Sequence, residues 1–145
     1  MTIQTGEYLL WRSGERSFGL ELAHCREIVN GVAITRLPRA PQFVLGLANL
    51  RGSVISVIDL EVLLGYKKTP EYRGEANLIR LRSEGYPVAV AADSISDTIF
   101  LTAAELEKAP ANLADTENNF IRLVAKLADG IVLIPDLKSI AEKIQ

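Results

Sequence analysis

The chain has 145 residues, 48% of them apolar, and a formal charge of −2 from 16 basic and 18 acidic side chains. That composition builds one domain with a core or two small lobes, and the charges are too scattered to track a nucleic-acid backbone. The apolar stretches fall far short of the roughly 20 residues that span a bilayer, no basic-then-apolar leader opens "MTIQTGEYLL", and the lone Cys25 excludes an internal disulfide and fits a reducing cytoplasm.

Short apolar segments separated by turn signals predict mostly strands. Glu7–Trp11 reads as a strand and "SGE" at 13–15 as a turn. Phe18, Leu20 and Leu22 alternate with Gly19 and Glu21, the period of a half-buried strand. "VAITRLP" at 32–38 reads as another. "SVISVIDL" at 53–60 is so rich in aliphatic residues that it predicts burial on both faces. "YKKTPEYRGE" at 66–75 is a loop. "NLIRLRS", "EGY" and "PVAVAAD" give strand, turn and strand. "AKLADGIVLI" is a second hairpin, with Asp129-Gly130 supplying positive φ. "TAAE" at 102–105 has the form of a capping box and predicts a short helix near 102–109 with Thr102 as N-cap. Asp136 is the expected N-cap of a C-terminal helix, whose Leu137, Ile140, Ala141 and Ile144 share one face.

A faint repeat runs through the chain. Phe18-Gly-Leu-Glu-Leu and Val88-Ala-Val-Ala-Ala precede Ala40-Pro41 and Ala109-Pro110, and "VISVIDLEVLL" (54–64) echoes "IVLIPDLKSIA" (131–141). Two similar β lobes produce this pattern, although any two small β units share some of it. Asp59 and Asp136 are related by the repeat and read as helix N-caps after buried strands rather than as a carboxylate dyad.

Catalytic residues are not evident. The single histidine, His24, adjoins the single cysteine, and adjacent positions diverge on strand and helix alike, so they do not form a nucleophile–base pair. No metal-ligand spacing and no phosphate-binding glycine loop appear. A small β module of this kind acts through its surface.

The segment "LPRAPQFVLGLANLRGSVISVIDL" (37–60) resembles the signature of the CheW family of chemotaxis adaptors, through Pro38, Ala40-Pro41, Phe43, Val44-Leu45-Gly46, Asn49-Leu50-Arg51-Gly52 and Asp59-Leu60. "CREIV" at 25–29, "VAVAADSISDTIFL" and "ADGIVLIPDL" resemble further family segments, so the likeness runs from about Glu7 to Ile144. It implies one domain over 1–145: two packed five-stranded SH3-like β-barrels with a shared core, the first lobe at roughly 15–68 and the second at roughly 76–135, with terminal segments completing the barrels. It also implies a cytoplasmic, non-catalytic scaffold without cofactor or metal. The scaffold couples the helical tip of a chemoreceptor to the regulatory domain of a CheA-type histidine kinase. Alternatives are an adaptor of a pilus-motility or other non-flagellar pathway, or a diverged β-barrel that binds a ligand without kinase coupling.

The resemblance places Glu27 and Arg51 together in a receptor-binding groove, with Asn49, Leu50 and Cys25 nearby. Arginine suits the edge of such a groove because its planar fork has no lysine equivalent. Gly46 and Gly52 are expected to serve tight backbone geometry, and Phe43 to be core. Three departures stand out: Ser56 where the family usually has proline, Arg122 where it has glycine, and Ile134-Pro135-Asp136 in the closing strand. Pro135 should end that strand.

Overall fold

The computed structural model describes residues 5–71, 73–83, 85–109 and 120–144. In chain order the described elements are β1 (Gly6–Ser13), β2 (Arg16–Glu21), a 3-10 turn (Leu22–His24), β3 (Cys25–Ala33), β4 (Val44–Leu50), β5 (Ser53–Ile58), α1 (Leu60–Leu63), β6 (Glu75–Leu81) and β7 (Val88–Ala92). They continue with β8 (Ser94–Leu101), β9 (Leu106–Lys108), β10 (Ile121–Leu127), β11 (Gly130–Pro135) and α2 (Leu137–Ile144).

The fold is mainly β, in two sheets. One has five strands in the order β3-β6-β7-β5-β4, and the other six in the order β8-β1-β2-β11-β10-β9. Each contains one parallel neighbour pair, β5 with β7 and β2 with β11, among antiparallel ones. The two orders superpose if β8, β1, β2, β11 and β10 are set on β3, β6, β7, β5 and β4. The six-stranded sheet is therefore the same design with its central hairpin drawn from the N-terminus, which is the physical basis of the repeat. Contact density follows the sheets: residues 23–93 form one unit, and the segments up to Leu22 and from Ser94 on form the other. The sheets do not divide at 15–68 and 76–135, because the 75–92 hairpin hydrogen-bonds beside β3 and β5.

Both sheets bring their edges together in the same way. After β3 the chain bends, and Thr35 exchanges two backbone hydrogen bonds of 2.8 Å with Leu47 on β4. After β8 the chain turns at Thr102 and returns as β9 against β10. The helix expected at 102–109 is absent. Its capping pair does form, with Glu105 Oε1 accepting from the Thr102 N–H at 3.0 Å, but it closes a turn whose continuation is strand. A strand partner supplies ladder hydrogen bonds that a one-turn helix cannot match.

Three strand expectations change in detail. The segment read as a strand at 32–38 holds only the end of β3 and the Thr35 bridge. β5 is buried toward its C-terminal end, whereas Ser53 and Val54 are exposed at the hairpin end. β2 stops at Glu21, and Leu22 stands in the 3-10 turn, exposed. Phe43 is buried as expected. Ser56, at the family's proline position, donates its N–H to the Pro87 carbonyl at 3.1 Å, a ladder bond proline cannot make.

Strand β11 ends at Pro135 and α2 follows. Asp136 Oδ1 accepts from the backbone N–H groups of Lys138 at 3.1 Å and Ser139 at 3.3 Å. Ile140 is fully buried on the helix's inner face; the Ile144 side chain and Pro110 lie outside the described residues. Asp59 caps α1 in the same way, accepting from Glu61 and Val62 at 2.9 and 3.2 Å. Asp136→Ala is expected to cost about 1 kcal/mol, measured by urea denaturation, because two helix N–H groups lose their acceptor. An unchanged midpoint would mean that solvent replaces the cap at no cost.

Candidate functional site

Asn49-Leu50-Arg51-Gly52 closes the β4–β5 hairpin. Leu50 pairs with Ser53, so Arg51 and Gly52 are the two turn residues. Both have positive φ, +54° and +85°, the handedness that matches strand twist in a two-residue loop. Asn49 Oδ1 accepts the Gly52 N–H at 3.0 Å and locks the turn. Glycine takes this conformation freely; for arginine it costs roughly 1–2 kcal/mol. Leu50 turns into the core, whereas the Arg51 side chain is 84% exposed. The cation between two apolar strands is thus at a hairpin tip, and its strain is held by a well-anchored turn.

Glu27 lies on β3, just beyond a register shift after Cys25, and its cross-strand partner is Arg80 on β6. Glu27 Oε1 is 3.1 Å from Arg80 Nη1, and Oε2 is 3.4 Å from Arg51 Nη2. The Glu27 side chain is 16% exposed and that of Arg80 8%. Arg80 stands two residues from core residue Leu78 on the same face of β6, so its guanidinium sits at the end of an apolar row. The result is a graded cluster: a buried cation, a nearly buried carboxylate and an exposed cation.

Of the expected site residues, the structure brings Glu27 and Arg51 together. Asn49 is exposed and acts on the turn, and Leu50 belongs to the core. Cys25 is half-buried on the same strand as Glu27; burial pushes its thiol pKa up, Arg82 opposes this, and Glu27 adds to it. Gly46 lies against the Thr35 backbone at the seam, and Gly52 has open space around it. Arg80 was not anticipated. Its signal in the sequence is an arginine at the inward period of "NLIRLRS", which gains meaning only once β3 is known to pair with β6.

Other polar features are structural. Arg122 pairs with Glu21 at 2.6 Å, with both side chains mostly buried, so the arginine at the family's glycine position has a specific partner. Burial, then Glu21, raises the pKa of nearby Tyr8, while Arg122 opposes them. His24 is exposed. Among the described residues no three His, Cys, Asp or Glu side chains converge as a metal site, and no helix is long and apolar enough to cross a membrane. A cavity of about 590 Å³ opens among the β1–β2 hairpin, β8 and the β10–β11 hairpin, with Leu10, Ile99, Leu127 and Val132 among its apolar lining and Arg12, Glu15, Arg16 and Asp129 among its polar lining.

Comparison with known proteins adds independent findings. The family model described as CheW-like domain matches residues 7–145. The chemotaxis protein CheW of Rhizobium meliloti is 28% identical over 135 residues, covering 92% of this chain and 86% of that protein. That of Helicobacter pylori is 27% identical over 130 residues, covering 90% of this chain and 78% of that one. The crystal structure of the scaffolding protein TtCheW from Thermoanaerobacter tengcongensis superposes with a TM-score of 0.78 at 26% identity, covering 92% of this chain and 90% of that one.

Proposed function

The chain belongs to the CheW-like domain family, and from that premise we propose that it is a non-catalytic coupling scaffold of a chemotaxis signalling system. It works in the cytoplasm and holds the helical tip of a chemoreceptor and the regulatory domain of a CheA-type histidine kinase in one assembly. The kinase then responds to the receptor because both are held by a common rigid part. The observation that carries this reading is the Arg51–Glu27 cluster. An exposed guanidinium is fixed at a strained hairpin tip beside a carboxylate that is itself anchored from below. Residues kept in a costly backbone conformation mark sites where geometry matters more than local stability.

The test is a pull-down from cytoplasmic extract with wild-type protein, Arg51→Glu and Arg51→Gly. Wild type should recover a chemoreceptor and a histidine kinase. Both variants should keep the kinase and lose receptor by about tenfold or more, since a charge-assisted contact is removed. Arg51→Gly suits the turn better than arginine does, so it loses function without unfolding. Normal receptor recovery by both variants, or recovery of neither partner by wild type, overturns the proposal.

A further inference from the structure

Glu27 has two oxygens and two cations. Oε1 meets Arg80, which is almost completely enclosed, at 3.1 Å; Oε2 meets Arg51, which is almost completely exposed, at the looser 3.4 Å. The three side chains sum to one positive charge, and the excess lies on the exposed member. We infer that Arg80 is a positioning residue for partner binding: it neutralises Glu27 permanently and so leaves Arg51 free to detach and grip an acidic group on the partner. This rests on the receptor-binding reading of the same surface and adds a third residue and the partner's chemistry to it.

The two cations differ in what their departure would leave behind. When Arg51 swings away, Glu27 keeps its hydrogen bond to Arg80, so no nearly buried carboxylate is stranded. Without Arg80, Arg51 becomes the counter-ion of an enclosed carboxylate, and releasing it exposes the full penalty of an unpaired charge. Arg80 cannot substitute for Arg51 outside, because its side chain is enclosed and hydrogen-bonded to Glu27. The division of labour is therefore set by burial: the enclosed guanidinium is fixed and the exposed one exchanges. An incoming carboxylate replaces Oε2 of Glu27 as the acceptor, and arginine's planar fork allows a two-point grip.

Two measurements test this. The first needs no partner: side-chain NMR order parameters of the Arg51 Nε–H in wild type and Arg80→Leu. Arg51 should be mobile in wild type and markedly more ordered in the variant, as it becomes the counter-ion of Glu27. The second is calorimetric binding of the cytoplasmic helical fragment of the chemoreceptor recovered in the pull-down. Arg80→Leu should bind about tenfold more weakly although Arg51 and Glu27 are intact. Arg80→Lys, which keeps the enclosed charge beside Glu27, should bind within about threefold of wild type.

If Arg80→Leu does not fold, Arg80→Lys carries the test, because it keeps a cation against Glu27 and leaves Arg51 free to exchange. A tenfold loss in a folded Arg80→Lys overturns the inference, as does unaltered Arg51 mobility or undiminished binding in a folded Arg80→Leu. If Arg51 tightens in Arg80→Leu while wild type binds no receptor fragment, the receptor reading fails and the ion-pair exchange stands.

Discussion

Replacing Glu27 by leucine lowers the stability of the unit that holds it by about 3–5 kcal/mol, the cost of leaving an enclosed charge without its partner. The charge left behind is Arg80, 8% exposed, with its ion pair to Glu27 gone. Guanidinium does not deprotonate to escape, as a buried lysine would, so the penalty falls on folding itself. Removing the other partner has a different consequence. Arg51→Ala costs only about 0–1 kcal/mol, because an exposed pair is worth little and solvent takes over its donors. The two edges of the same cluster thus differ several-fold in their effect, although both would be drawn as salt bridges. Urea denaturation followed by far-UV circular dichroism measures the difference. A loss below about 1 kcal/mol for Glu27→Leu would mean that Arg80 finds another acceptor, and the graded cluster would lose its physical basis.

What could be read in the sequence was local chemistry. The caps Asp59 and Asp136 and the stop at Pro135 each depend on residues within a few positions of one another, and each forms as expected, whereas the β10–β11 hairpin forms with its turn at Ala128-Asp129 and positive φ on Gly130 alone. Thr102 and Glu105 also find each other, yet the same pair closes a turn as readily as it starts a helix. The strand that continues from this turn is decided by β10, beyond the reach of local propensity. Which strands share a sheet is likewise beyond local chemistry. Val132 and Leu133 run parallel to Ser17 and Phe18 in the finished sheet, and the apolar residues of both segments fit either neighbour. The candidate site shows both behaviours. Family likeness paired Arg51 with Glu27. Its exposure came from the two-residue turn, and the cluster's second cation, Arg80, came from a strand pairing 53 positions away in sequence from Glu27. A long-range ion pair has no local signature, because neither residue alone announces which strand will lie beside it.

Gly46→Ala is expected to destabilise the chain by about 3 kcal/mol, at the upper end of what overpacking costs. A Cβ at Gly46 would collide with the carbonyl oxygen of Thr35 and stand 2.8 Å from Ile34 Cγ2 and 3.0 Å from the Thr35 carbonyl carbon. A flexible side chain can yield; this backbone cannot, because Thr35 is tied to Leu47 by both of its peptide groups. Relief requires opening the seam where the chain after β3 meets β4. Gly52→Ala is the matching control. Its surroundings are open, so it bears only the strain of φ +85°, about 1 kcal/mol. Thermal unfolding of the two variants separates collision from conformation, and equal losses would show that the seam accommodates a methyl group. The collision also reaches the ion pair. Glu27 belongs to β3 and Arg51 to the β4–β5 tip, the two edges that this seam joins. Parting them carries Glu27 away from Arg51 without touching either residue, so a glycine with no polar side chain of its own sets the length of the Arg51–Glu27 ion pair.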